Sequence, residues 1–319
     1  MFLLNEAYIK NVIYGVAIGD ALGMPHQFKP RNSFMTHPVT NMTGFGAFNL
    51  PAGTWSDDTS MTLAALDSLN DGLNYPKMME NFVRWIENGA YTPTGYAFDI
   101  GKGTQDAISA FQKGTPPLSS GSTDETNNGN GALMRLTPIA LYLAVSPHSE
   151  SSTFEIIRNF TRLTHGHSRS IVASGILTNI MLQVINHPKR PILENLTNGI
   201  NQARRYYDRK PVYQAELHYF SRLFNLAQLS DMSQSSIKSS GYVVDTLESV
   251  CWCLLTEPNS SKCLLKAVNL GDDTDTIASI LGGLLSMNPQ TNFPIDWQRQ
   301  LQGQNQLNTI IKNSSNYLK

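Results

Sequence analysis

The sequence is poor in the residues that disulfide scaffolds, zinc modules and membrane spans need. Its 319 residues include three cysteines, Cys251, Cys253 and Cys263. An odd count at that spacing builds no disulfide framework, and no CxxC pair suggests zinc. A reducing compartment is expected. No run approaches the roughly 18 apolar residues of a membrane-spanning helix. The stretch MFLLNEAYIKNVIYG is interrupted by Asn5, Glu6 and Lys10, which breaks the apolar core a signal peptide requires. An excess of one charge is also missing: 24 Lys+Arg against 25 Asp+Glu leave a formal −1. Nothing in that balance draws the chain toward phosphate backbones or acidic membrane surfaces. The expectation is a cytoplasmic protein with no nucleic-acid and no membrane partner.

What is present is an ordinary globular mixture, 41% hydrophobic with 23 glycines, so disorder as the main state is excluded. Apolar residues recur at helical spacing. Ile9, Val12, Ile13 and Val16 open the first run, and Met61, Leu63, Ala64, Ala65, Leu66 and Leu69 form the second. Further helices are expected near 77–88, 104–113, 132–145, 153–163, 168–186, 193–206, 243–256, 260–268, 275–287 and 305–313. Alternating patterns are nearly absent, so the fold class is all-α. Two polar stretches, 114–131 (GTPPLSSGSTDETNNGNG) and the Ser-rich 229–241, read as loops. The distinctive polar motifs lie on both sides of each, which favours one domain over 1–319 with long surface loops of functional use.

Two acidic motifs each precede an apolar helical run: Trp55-Ser56-Asp57-Asp58-Thr59 and Gly271-Asp272-Asp273-Thr274-Asp275-Thr276. Neighbouring carboxylates diverge around a regular helix, but in the turn before one they can converge, where free N–H groups offset their charge. Two such turns brought together would gather at least four carboxylates with Ser and Thr hydroxyls. Such a cluster calls for a cation, and its hard oxygens suit Mg²⁺, Mn²⁺ or Ca²⁺. Ordinary N-capping explains either motif alone; together they carry more acids than capping uses. A calcium loop starting at Asp124 fails, because its twelfth position is Arg135 instead of Glu. Gly129-Asn130-Gly131-Ala132 opens a helical run, and its N–H groups could hold phosphate, although a glycine turn entering a helix is the commoner explanation. His165-Gly166-His167 lacks the partners of a zinc motif, which leaves a hydrogen-bonding role or capping by Ser168. The cysteines around Trp252, and Phe82, Trp85 and Ile86, read as core.

In this order the motifs resemble the ADP-ribosylglycohydrolase family. The matching stretches are Gly15 to Gly23 (GVAIGDALG), Trp55 to Thr59, Phe98-Asp99-Ile100-Gly101, Asn130 to Arg135 (NGALMR), Thr164 to His167 and Gly271 to Thr276. The resemblance implies a compact helical fold whose cleft holds two Mg²⁺ or Mn²⁺ ions. It implies Ser56, Asp57, Asp58, Asp273, Asp275 and Thr276 as metal ligands, with Asp272 standing where the family usually has glycine. It further implies Gln27, Asp99, Gly129, Asn130, Gly131, Ala132 and His165 as ADP-ribose contacts. The chemistry would fall to Asp57, Asp58, Asp99 and Asp275. Gln27 departs from a frequent glutamate, and an amide cannot serve as general base.

The activity implied is removal of ADP-ribose from a modified protein side chain, arginine first, because the FDIG motif matches the bacterial arginine-directed branch. The alternatives are a relative that binds ADP-ribose without hydrolysis, or a hydrolase of ADP-ribosyl-serine or O-acetyl-ADP-ribose. The partners implied are an ADP-ribosylated protein and, behind it, a cognate ADP-ribosyltransferase or toxin. A monomer is expected.

Overall fold

Several helices begin where the chain offers a side chain to receive the first free N–H groups. Asn5 Oδ1 accepts from Tyr8 N at 2.8 Å, Asn74 Oδ1 from Lys77 N at 3.0 Å and Asn259 Oδ1 from Lys262 N at 3.0 Å. The computed structural model describes residues 5–318. Among these residues are α-helices, short 3₁₀ turns, a few isolated β-bridges and no strand. The longer helices are α1 (Glu6–Gly23), α2 (Asp57–Ser68), α3 (Tyr75–Asn88), α4 (Lys102–Gln112), α5 (Thr137–Val145), α6 (Glu150–Arg162), α7 (Ser168–Asn186), α8 (Ile192–Asp208), α9 (Val243–Thr256), α10 (Ser260–Val268), α11 (Thr274–Ser286) and α12 (Gln304–Ser315).

The architecture is all-helical, as the periodicity implied, and the three cysteines are buried in its core. Three local expectations are corrected. The helix expected over 132–145 starts at Thr137, because Pro138 sits in its first turn and residues 131–135 are a turn closed by Leu133 N donating to Asn130 O at 2.7 Å. The cap of α7 is His167, whose Nδ1 accepts from Arg169 N at 3.1 Å, whereas Ser168 lies inside the helix. By length and composition α7 could cross a membrane, a run that a simple scan for unbroken apolar stretches misses. Most of it is buried inside this fold, packed on α5, α6, α8 and α9.

The second half of the core is α1 laid against α11, with α2 and α12 beside it. Gly15, Gly19 and Gly23 recur every four residues and so share one face of α1. A Cβ on Gly19 would sit 2.0 Å from the Ala278 carbonyl oxygen, and one on Gly23 would sit 2.4 Å from Asp275 Cα. From the other side, a Cβ on Gly282 would meet the Gly15 oxygen at 2.0 Å. The two backbones are therefore in direct contact, and Thr274 Oγ1 fixes their register by donating to Gly23 O at 2.8 Å.

A methyl group on this seam has nowhere to go, since its neighbours are backbone atoms. Gly19→Ala should destabilise the protein by about 2–3 kcal/mol or more, the cost of overpacking a rigid core. Gly101→Ala is the control: it has φ −60° and nothing within 4 Å of the added carbon. It should shift stability by less than about 0.5 kcal/mol. Urea or thermal unfolding of the two variants checks the pair.

Candidate metal centre and ligand cavity

The seam between α1 and α11 decides where three carboxylates meet. Asp57 and Asp58 occupy the first turn of α2, whose cap is Ser56, with Asp58 N donating to Ser56 Oγ at 3.4 Å. Asp273 stands at the cap position of α11 but makes no capping bond. Neither acidic motif spends its carboxylates on capping. The start of α2 is held from behind by Asp20 of α1, which is fully buried. Its carboxylate accepts from Ser56 N at 2.9 and 3.0 Å, from Thr59 N at 3.0 Å and from Thr59 Oγ1 at 2.6 Å. Burial raises the Asp20 pKa to about 6 against the pull of those donors.

Asp57, Asp58 and Asp275 then offer oxygens that all lie within 4.8 Å of one another, each from a buried residue. Ser56 Oγ is 3.3 Å from Asp58 Oδ2 and 3.2 Å from Asp275 Oδ2, and Thr276 Oγ1 donates to Asp58 Oδ2 at 3.3 Å. The other oxygens of the two pairs, Asp58 Oδ1 and Asp275 Oδ1, are buried with no donor. Burial first, and the neighbouring carboxylates second, push all three pKa values well above the usual range.

Two unit charges at this separation repel by about 3–4 kcal/mol at an effective dielectric of 20. A hydroxyl hydrogen bond to a charged group returns about 1.5–3 kcal/mol, less than the summed repulsion of three such pairs. The hydroxyls therefore do not neutralise the cluster. An all-oxygen set with orphaned lone pairs fits a hard divalent cation.

The cluster opens into a cavity of about 1020 Å³. Of the residues singled out in the acidic, glycine-turn and histidine motifs, with Gln27 and Asp99, those that line it are Gln27, Asp57, Asp99, Gly129, Asn130, Gly131, His165, Asp272, Asp273, Asp275 and Thr276. Ser56 and Asp58 lie buried behind the wall, and so does Ala132, which is 1% exposed. Asp273 stands apart from the triad, its Oδ2 receiving Asn130 Nδ2 at 2.5 Å. Asp272 is exposed, in left-handed backbone at φ 60°, and receives the Ser239 hydroxyl at 3.2 Å. Asp99 is likewise left-handed at φ 58°, and its Oδ2 receives Gln27 Nε2 at 2.6 Å. Burial, then the charges of Asp273 and Asp20, raise its pKa to about 7, with the Gln27 bond opposing.

Both long loops supply wall. In the first, Ser122 O accepts from Gly166 N at 2.8 Å, which ties the loop to the histidine turn. In the second, Gly241 O accepts from Asn130 N at 3.0 Å, while Asn128 O accepts from Val243 N at 3.0 Å. The contacts that sequence reasoning missed are the Asp20 anchor, the Gln27–Asp99 hydrogen bond and the packing of residues 239–242 on the Asn130 turn. Asp20 is one acid inside an apolar run, and only the invagination of the α2 turn onto it reveals its use.

A family model described as ADP-ribosylglycohydrolase matches residues 5–318. The chain is 30% identical over 302 residues to ADP-ribosylarginine hydrolase Tri1 of Pseudomonas putida (strain GB-1), covering 92% of this chain and 75% of that protein. It is 26% identical over 277 residues to the ADP-ribosyl-[dinitrogen reductase] glycohydrolase of Rhodospirillum rubrum, covering 85% and 81%. The solved structure of an ADP-ribosylglycohydrolase-related protein complex matches in fold with a TM-score of 0.73 at 23% identity, covering 98% of this chain and 99% of that one. Matched from the start of its first helix to the end of its described residues, the chain belongs to the ADP-ribosylglycohydrolase family.

Proposed function

We propose that the protein hydrolyses the N-glycosidic bond joining ADP-ribose to a protein arginine, reversing mono-ADP-ribosylation. The observation that carries this reading is the buried triad Asp57, Asp58 and Asp275 at the base of a large cavity. The choice of arginine is supported by the name of the Pseudomonas relative.

In this reading Asp57, Asp58 and Asp275 would hold Mg²⁺ or Mn²⁺ ions, two in number, with oxygens of Ser56 and Thr276 beside them and Asp273 serving from the neighbouring wall. Bound there, the cations would supply a concentrated positive charge that attracts hydroxyl oxygens and lowers the pKa of water. The remaining work belongs to the chain. Asp20 keeps the α2 turn from drifting by holding two of its N–H groups. Asp99, which lines the same cavity as Asp57 and Asp275, would hand a proton to the departing guanidine. Gln27 cannot take a proton from water, so its part is to hold the Asp99 carboxylate. The Gly129–Gly131 turn and His165 form the polar wall that would grip the diphosphate, away from the reacting carbon.

Release of ADP-ribose from an arginine-modified protein, with and without Mg²⁺ or Mn²⁺, tests the assignment. Turnover should require the cation and should fall by about a thousandfold or more in Asp57→Asn and Asp275→Asn, as when charged groups acting on a transition state are removed. Full activity in both variants would refute it. Serine-modified protein and O-acetyl-ADP-ribose, offered to the same preparation, should turn over far more slowly.

Stability reads the same cluster without any substrate. At neutral pH, unneutralised carboxylates with raised native pKa values oppose folding, so stripping the cations should leave Asp275→Asn more stable than the wild type. Adding Mn²⁺ at about 100 times its Kd should stabilise the wild type by about 2.7 kcal/mol. That would raise Tm by several degrees, and the variant should show little of the shift. Differential scanning calorimetry with and without a chelator decides the point.

A further inference from the structure

Arg135 is a fully buried cation, and among the described residues no carboxylate pairs with it. Its guanidinium lies between the rings of Phe82 and Phe160, at 5.0 and 4.7 Å from their centroids. Nε and Nη1 are buried without acceptors. A buried charge left this poorly compensated costs several kcal/mol, and an apolar residue of similar volume would fill the space at less cost. Core packing alone therefore does not account for an arginine here.

Its remaining nitrogen leads to the cavity. Nη2 donates to Phe160 O at 3.4 Å and to Thr164 Oγ1 at 2.7 Å. Thr164 Oγ1 in turn lies 2.8 Å from His165 Nδ1. A guanidinium can only donate, so it occupies a lone pair of the threonine oxygen. Among the described residues the threonine hydrogen then has one acceptor at hydrogen-bond distance, His165 Nδ1. An Nδ1 that accepts leaves the ring hydrogen on Nε2. Among the described residues that atom has no hydrogen-bond partner, and it faces the glycine turn: a Cβ added to Gly129 would sit 3.5 Å from it. Burial and the adjacent Arg135 charge lower the His165 pKa to about 3, so the ring remains neutral.

We propose that Arg135 is a positioning residue that acts through Thr164, fixing His165 as its Nε2–H tautomer so that the imidazole presents a neutral donor to the anionic oxygens of a ligand at the Gly129–Gly131 turn. The second half of this statement rests on the ADP-ribose reading above; the first half does not. A neutral donor of fixed orientation suits a diphosphate that has to leave after each turnover. It grips the oxygens without forming an ion pair, while the positive charge stays sealed in the core.

The test uses ¹⁵N-histidine-labelled full-length protein, with the His165 ring signals assigned by their loss in His165→Gln. In the wild type, long-range ¹⁵N–¹H correlations should show Nε2 protonated and Nδ1 bare. Thr164→Val keeps the shape and removes the hydroxyl, and should give a mixture of tautomers. Thr164→Ser should restore the single form. Arg135→Met, if folded, should resemble Thr164→Val; if it does not fold, the threonine pair decides. Calorimetric titration with ADP-ribose should show affinity falling about tenfold in Thr164→Val and recovering in Thr164→Ser. With the modified substrate, KM should rise while kcat holds.

A wild-type ring protonated on Nδ1 would overturn the proposal, and so would a Thr164→Val ring that keeps the single Nε2–H form. A folded Arg135→Met with the wild-type tautomer would remove arginine from the chain of effects. Should the wild type fail to bind ADP-ribose at all, the functional reading falls, and the ring spectra still decide the tautomer claim.

Discussion

Direct backbone contact between α1 and α11 is the constraint from which the rest of the molecule is built. Gly15, Gly19, Gly23 and Gly282 remove the side chains that would hold the two helices a normal distance apart. At that closeness the start of α11 lies against the end of α1, which also carries Asp20. The α2 turn is nailed to Asp20 through Ser56 and Thr59. Thus one helix, α1, sets the positions of both acidic turns. A shift of an ångström along the seam would separate Asp275 from Asp57 and Asp58.

The seam and the carboxylate cluster are opposed in energy. Close packing of α1, α2 and α11 is favourable, and it forces three acids into a buried space where they repel one another. Elsewhere the fold keeps such conflicts small. Arg169 meets both Glu125 and Glu216 at 2.8 Å, and Arg222 meets Glu248 at 3.2 Å. Among the described residues the aspartate triad and Arg135 have no such ion-pair partner. The first lies at the cavity and the second connects to it through Thr164 and His165. Unbalanced charge in a core is retained where it has a use.

Much of the helical fold was legible because burial imposes a period. Runs such as Ile9 to Val16 and Met61 to Leu69 show it directly, and the helices they announce are present. The exceptions have local causes. Pro138 delays α5, and His167 takes the capping position from the serine beside it. The acidic turns could be read as a pair because each holds more carboxylates than its helix start uses. Asp20, the Gln27–Asp99 contact and the Gly241 wall were not legible. Each is a contact between segments distant in the chain, and no pattern within either segment records it. Family likeness supplied the order of the motifs, while the geometry supplied which of them touch.

The seam also sets a timetable for folding. Thr274 bonds to a carbonyl of α1 that precedes it by 251 positions. At about 5–20 residues per second, the partner of α1 leaves the ribosome tens of seconds after α1 itself. Throughout that interval the glycine face has no helix to pack on, and Asp20 has only the α2 turn to hold. The centre therefore cannot assemble on a nascent chain until Asp275, more than 200 positions after Asp57 and Asp58, has been made.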